Sequence, residues 1–175
     1  MSGLVPFIIV IISLAHLDLP AQTGTQNISK EILLESAGKI ISQAKYTTFI
    51  TLDAEGLPVA RIMDPILPNE NMEIWMGTNP QSRKVSHIRA NPVCVIHYFD
   101  PTNPGYVSIR GNAEIINDPV IKQDIWKEEW AEFYSKDKSD LLLIKITPIW
   151  LEVISSQDNI LGDTISWQPP RVIFN

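Results

Sequence analysis

From Ile28 onward the apolar side chains of Ile32, Leu33, Ala37, Ile40, Ile41 and Ala44 recur three and four positions apart, with Lys30, Glu31, Glu35, Lys39 and Gln43 among them. Positions so spaced share one face of an α-helix, so an amphipathic helix is predicted, capped by Asn27 or Ser29. The period then changes. Residues 46–52 are rich in β-formers, 53–56 supply turn chemistry, and 57–63 return as a second strand, which together predict a hairpin. Residues 65–71 read as a loop, and 72–76 alternate their apolar side chains as a third strand does.

Gly77-Thr78-Asn79-Pro80 stops that strand. Asn79 before Pro80 predicts a cap and first helical residue, and the short helix carrying Val85 and Ile88 ends at Asn91-Pro92. A fourth strand covers 93–99, and after the turn formers of 100–105 a long fifth strand covers 106–117, with Gly111 marking a possible bulge. Asp118-Pro119 repeats the cap-plus-proline signal before a helix carrying Val120, Ile121, Ile125, Trp126 and Trp130. Residues 141–154 form a sixth strand whose Pro148 suits a bulge or edge position, and 155–175 carry no assignable pattern.

Six strands joined mostly by tight turns, with short helices between some of them, predict a mainly β (α+β) fold built on an antiparallel barrel or sandwich. A doubly wound parallel sheet is disfavoured, because a crossover helix does not follow each strand. The length of 175 residues suits one domain. Hydrophobic residues at 45% and charged residues at 19% are the balance of a globular protein. A net charge of -6 argues against general nucleic-acid binding. Cys94 is the single cysteine, which excludes an intrachain disulfide, and His16, His87 and His97 lack metal-ligand spacing.

At the N-terminus, residues 4–15 are apolar apart from Ser13, and small and polar residues follow Pro20. This reads first as a signal peptide over 1–22, which would send the protein to the periplasm or outside the cell. Twelve helical residues rise only about 18 Å, short of the hydrocarbon core of about 30 Å, so no stable membrane span is expected. An uncleaved anchor, or a start codon placed too early, remain the alternatives, since no Lys or Arg precedes the apolar run and residues 19–21 make a poor cleavage site.

The chemistry concentrates after the third strand. Thr78 and Ser82 contribute hydroxyls, and Arg83 and Lys84 contribute adjacent cations, around a helix start whose free amides and dipole favour an anion. This describes a phosphate cradle, although a solvated basic turn on a surface helix fits the spacing equally well. Arg61 interrupts an apolar β-forming run and differs in parity from Ala60 and Ile62. It reads either as a functional cation or as an ordinary exposed strand residue. Trp75, Trp126 and Trp130 read as packing.

The order strand, Gly77-Thr78-Asn79-x-x-Ser82-Arg83-Lys84, short helix, Asn91-Pro92, strand resembles the core of the pyridoxamine 5'-phosphate oxidase superfamily of flavin mononucleotide (FMN) binding split barrels. The stretch 58–63 resembles that family's preceding strand, and 105–116 its long strand. The general stress protein 26-like branch is most similar, over roughly 28–154. The resemblance implies a six-stranded antiparallel split β-barrel in which Arg83 and Lys84 hold the FMN phosphate with Gly77, Thr78 and Ser82 beside them. It implies that Arg61, Ile62 and Met63 lie along the flavin. It also implies a homodimer with FMN between the subunits, where Tyr106 reaches the partner's flavin.

Departures from the pattern bear on the reaction. Pyridoxamine phosphate oxidases carry Lys where this chain has Ile66, Gln where it has Tyr106, and Trp where it has Ile154, and 155–163 lack their Arg-x-His motif. The expectation is therefore an FMN-dependent oxidoreductase acting on another small substrate, with no side chain singled out as acid or base. A flavin-binding module without turnover, and a barrel holding a deazaflavin or haem, are the competing readings.

Overall fold

The computed structural model describes residues 28–174, so the segment read as a signal peptide and the possible cap Asn27 lie outside the described residues. Helix α1 spans Lys30–Gln43. Ser29 caps it, its Oγ accepting from the Ile32 amide at 3.4 Å. Leu33, Ala37, Ile40 and Ile41 form the buried stripe, while Ile32 is half exposed on its rim.

Eight strands follow in chain order: β1 Thr47–Leu52, β2 Pro58–Met63, β3 Pro65–Ile66, β4 Ile74–Thr78, β5 Val93–Phe99, β6 Gly105–Ile116, β7 Leu142–Ser155 and β8 Arg171–Ile173. Six are those the alternation predicts; β3 and β8 are additions. β3 falls in the segment read as a loop and is too short to show a period. β8 lies in the unassigned tail, where it pairs with β7 through Val172 opposite Leu151. All the pairings are antiparallel.

The sheet runs β2-β1-β5-β6-β7-β4-β3. Its two ends are consecutive in the chain with Asp64 alone between them, so the sheet curls until its edges meet there. The chain leaves β1 at Met63 and takes up β4 at Pro65. That change of partner is the split of the barrel. Among the described residues β2 pairs only with β1, so its other edge is open.

Local chemistry sets the register. In the β1–β2 turn the Asp53 carboxylate accepts from the amides of Glu55 and Leu57 at 3.1 and 2.8 Å, and Gly56 takes φ 78°, where a side chain would be strained. Leu52 then faces Pro58, and Arg61 faces Phe49. Between β6 and β7, Arg110 faces Trp150 while Gly111 faces Pro148, leaving Ile149 as the extra residue of a bulge. Pro148 thus sits at a bulge, one of the few places a sheet tolerates proline. A Cβ on Gly111 would lie 2.6 Å from the Thr147 carbonyl oxygen.

The main core fills the barrel between α1 and the inner face, around Phe49, Ile96, Tyr98, Ile109 and Leu151. Cys94 belongs to it, and burial pushes its thiol up to about 12, which makes it a small apolar residue. A smaller cluster joins Trp130, Leu141 and Leu143 to Trp75 and Trp126, as expected of packing tryptophans. Two predicted helices need correction. The one after Asp118, which does cap it, breaks into α3 Pro119–Asp124 and a separate 3-10 helix Glu128–Glu132. Helix α2, Arg83–Ala90, begins after Ser82 rather than at Pro80, because the Asn79 side chain accepts from the Gln81 amide and closes a turn instead.

Candidate functional site

Strand β4 ends at Thr78, the turn 79–82 follows, and α2 starts at Arg83. This sequence folds three predicted residues onto one another. Thr78 is buried, and the Lys84 ammonium donates to its Oγ1 at 3.1 Å and to Ser82 Oγ at 2.6 Å. Both hydroxyls thereby hold the half-buried lysine in place. Arg83, one residue earlier, is exposed at the helix start. Gly77 lies against Trp130 and Leu141, where an added Cβ would meet ring carbons at 3.3 Å, so its role is close packing of the strand end.

Arg61 reaches the same place from β2. Its position opposite Phe49 puts it on the inner face, half-buried, with the guanidinium 5.7 Å above the Phe49 ring. Nη1 donates to the Phe49 carbonyl at 3.3 Å and to Thr51 Oγ1 at 2.8 Å. Thr51 Oγ1 is in turn 2.9 Å from Nδ1 of the buried His87 on α2. The two contacts of Thr51 Oγ1 tie the edge strand to the helix. Sequence reasoning missed Thr51 and His87. The spacing of Thr51 two positions after Phe49 was the available signal.

The electrostatics follow from this crowding. Burial, then the neighbouring Arg83, lowers the proton affinity of Arg61; burial, then Arg61, lowers that of Lys84. Among the described residues none of Arg61, Arg83 and Lys84 has a carboxylate partner; the cations that do are Lys39, Lys127, Lys145 and Arg171. Three neighbouring cations without a counter-ion among the described residues, beside two hydroxyls and a helix start, are a donor set that suits an anion.

The remaining predicted residues lie elsewhere. Met63 packs against the core on the inner side, and Ile62 points to the outer face, 65% exposed. Tyr106 pairs with Phe99 and Ile154 and leans on His97, ring centroids 5.2 Å apart. Burial, then Glu152, raises its phenol. His97 and Ile62 both face Thr48, two strands apart, or about 10 Å at the usual spacing. Within one chain, therefore, Tyr106 shares the outer face with Ile62 and does not meet the cradle.

Residues 33–155 match the family model described as pyridoxamine 5'-phosphate oxidase. The chain belongs to that family. Solved structures agree on the fold. General stress protein 26 from Bacillus anthracis str. Sterne is 20% identical with a TM-score of 0.64, covering 80% of this chain and 97% of that one. A protein related to general stress protein 26 from Clostridium acetobutylicum is 19% identical with a TM-score of 0.66, covering 85% and 96%. A structure named F420 reductase is 22% identical with a TM-score of 0.52, covering 65% and 93%. No curated protein matches the chain. The family model gives the family, and the two stress-protein structures share the split-barrel fold. The matched span takes in Arg61, Thr51, the cradle and Tyr106, and stops where the tail begins.

Proposed function

We propose that this protein binds FMN and works as a homodimeric flavin-dependent oxidoreductase on a small molecule. The observation that carries the reading is that Arg61 on β2 lies near enough to Arg83 and Lys84 at the start of α2 to share their field, with no carboxylate partner for any of the three among the described residues. Such a donor set suits a dianionic phosphate ester: Lys84 as a point charge fixed by Thr78 and Ser82, Arg83 and Arg61 as planar donors from two elements. FMN held there would supply hydride chemistry at its N5. The protein would position it, with the backbone of β2 at 61–63 beside the ring and Tyr106 coming from the partner.

Dimerisation is supported by the outer face, where Ile62 and Phe99 are 65% and 67% exposed. Apolar surface grouped on one sheet face is what an interface covers. No helix among the described residues is long and apolar enough to cross a membrane. Ile66, where pyridoxamine phosphate oxidases carry Lys, supports a substrate other than pyridoxamine phosphate. A deazaflavin is the second reading, since the cradle selects a phosphate and not a ring system, and one similar structure is named F420 reductase.

The test is the absorbance spectrum of purified protein with a titration of FMN and of a deazaflavin cofactor, alongside light scattering for mass. Yellow protein at one FMN per chain, in dimers, is expected. Unchanged FMN affinity in the Arg83→Ala, Lys84→Ala double variant would refute the cradle.

A further inference from the structure

Three residues beyond Arg61, at Asp64 just past the end of β2, the chain enters a second cleft of about 550 Å³, and at the usual rise per residue the two sites are about 10 Å apart. The cleft lies between the end of α1, the seam around Asp64, and the 3-10 helix Glu128–Glu132. Its apolar lining includes Ile41, Ile66, Tyr46, Leu67 and Phe133. The last three are 52%, 62% and 73% exposed, so three large apolar side chains left uncovered among the described residues rim one concavity. Two aromatic rings among them offer faces to a flat ligand or a cation.

The charges on this cleft are opposite to those of the cradle. The carboxylates are Asp64, Glu129 and Glu132, and the cations Lys45 and Lys127. Lys127 is already committed, donating to Asp64 Oδ1 at 2.7 Å and to the Pro65 carbonyl at 3.3 Å. Lys45 sits over the Tyr46 ring at 5.2 Å and lies within the field of Asp64 and Glu129. Neither Glu129 nor Glu132 has an ion-pair partner among the described residues. The formal sum over the five groups is one negative charge, whereas the cradle carries three positive ones.

We propose that this cleft is the substrate site and that it takes a small organic cation with an aromatic or otherwise apolar body, excluding phosphorylated and carboxylate compounds. The inference rests on the flavin reading only for calling the ligand a substrate; binding itself depends on the cleft alone. The apolar walls and the Tyr46 and Phe133 rings take up the body, and Glu129 and Glu132 take up the charge at the rim. Anions are repelled here and drawn to the cradle, so the two sites sort cofactor phosphate from substrate by sign.

The experiment titrates the full chain, with its cofactor, against three probes of one shape: phenethylamine, phenethyl alcohol and phenylpropionate. Methyl resonances of Ile66 and Leu67 report occupancy. The amine is expected to bind most tightly and the carboxylate most weakly, with Glu129→Gln, Glu132→Gln reducing the amine's advantage over the alcohol by about three- to tenfold. Glu129→Lys, Glu132→Lys should invert the order of amine and carboxylate. The proposal is overturned if the carboxylate binds as well as the amine, if the preference survives both double variants, or if no probe reaches the cleft because a second copy covers it. FMN absorbance, read in every sample, separates the two ideas. Loss of FMN in Arg83→Ala, Lys84→Ala with the amine preference retained is compatible with this site, whereas retained FMN with no amine preference removes this site and spares the cradle.

Discussion

Lys84→Met tests whether the cradle is built for a ligand or for the fold. In the ligand-free protein the Lys84 ammonium is half-buried, held by two hydroxyls, and set beside Arg61 with no carboxylate in compensation. Methionine keeps the length and the apolar stem, relieves the repulsion and the buried charge, and forfeits two hydrogen bonds. These contributions oppose one another, so the ligand-free stability should stay within about 1 kcal/mol of the parent, a melting shift of about 2–4 °C in either direction. Binding has no such compensation. A charge-assisted bond from Lys84 to phosphate contributes about 1.5–3 kcal/mol, so FMN affinity should fall about 10- to 150-fold. Thermal unfolding without ligand and fluorescence titration with FMN measure the two quantities separately. A variant destabilised by more than about 2 kcal/mol that binds FMN as before would show Lys84 to be structural, and unpaired cations would then not mark a ligand site.

Further expectations arise from the same geometry. Thr51→Val breaks the link from Arg61 to His87 and should weaken FMN binding about three- to tenfold, with Thr51→Ser restoring it in the same titration. A bound phosphate raises the proton affinity that burial and Arg61 lower in free Lys84. Affinity should therefore be full below the free-protein pKa of Lys84 and decline as pH rises through it, starting below the ordinary lysine range; titrations across alkaline pH should show this slope flattened in Lys84→Met. Gly111→Ala places a methyl 2.6 Å from the Thr147 carbonyl and should cost about 1–3 kcal/mol in urea unfolding. Ending the chain after Ser155 removes the buried Ile160 and Val172, each contributing about 1.5–3 kcal/mol, and should lower the melting temperature by well over 5 °C.

The elements that a short repeat can specify were legible in the sequence. Alternation located six strands to within two residues, and the turn at 53–56 is short enough that its closure pairs Arg61 with Phe49. Given that register, the inner position of Arg61 could have been worked out from Phe49, an obvious core residue; reading Arg61 by the local parity of β2 alone left it open. β3 and β8 escaped because two or three residues define no period, and their pairing depends on where distant strands arrive. The start of α2 was misplaced because Asn79 suits either a helix cap or a turn, and the residues after Ser82 decide between the two. His87 was read only as lacking metal-ligand spacing, because its partner, Thr51, is far off in sequence. In the cradle, sequence adjacency revealed Arg83 and Lys84 together, but that Arg61 joins them without a counter-charge is a property of three dimensions.

The open edge of β2 gives Arg61 a second consequence. A free strand edge six residues long, carrying Ile62 on one face, is a template on which another chain can extend the sheet, the first step of edge-to-edge aggregation. Pro58 removes one donor from that edge, and a charged side chain turned inward from an edge strand is a known deterrent, because a stacked sheet would have to desolvate it. The guanidinium that completes the anion site thus also guards the strand that carries it. Neutral replacements at Arg61 would then reach beyond ligand affinity, to how long the protein stays dispersed at high concentration.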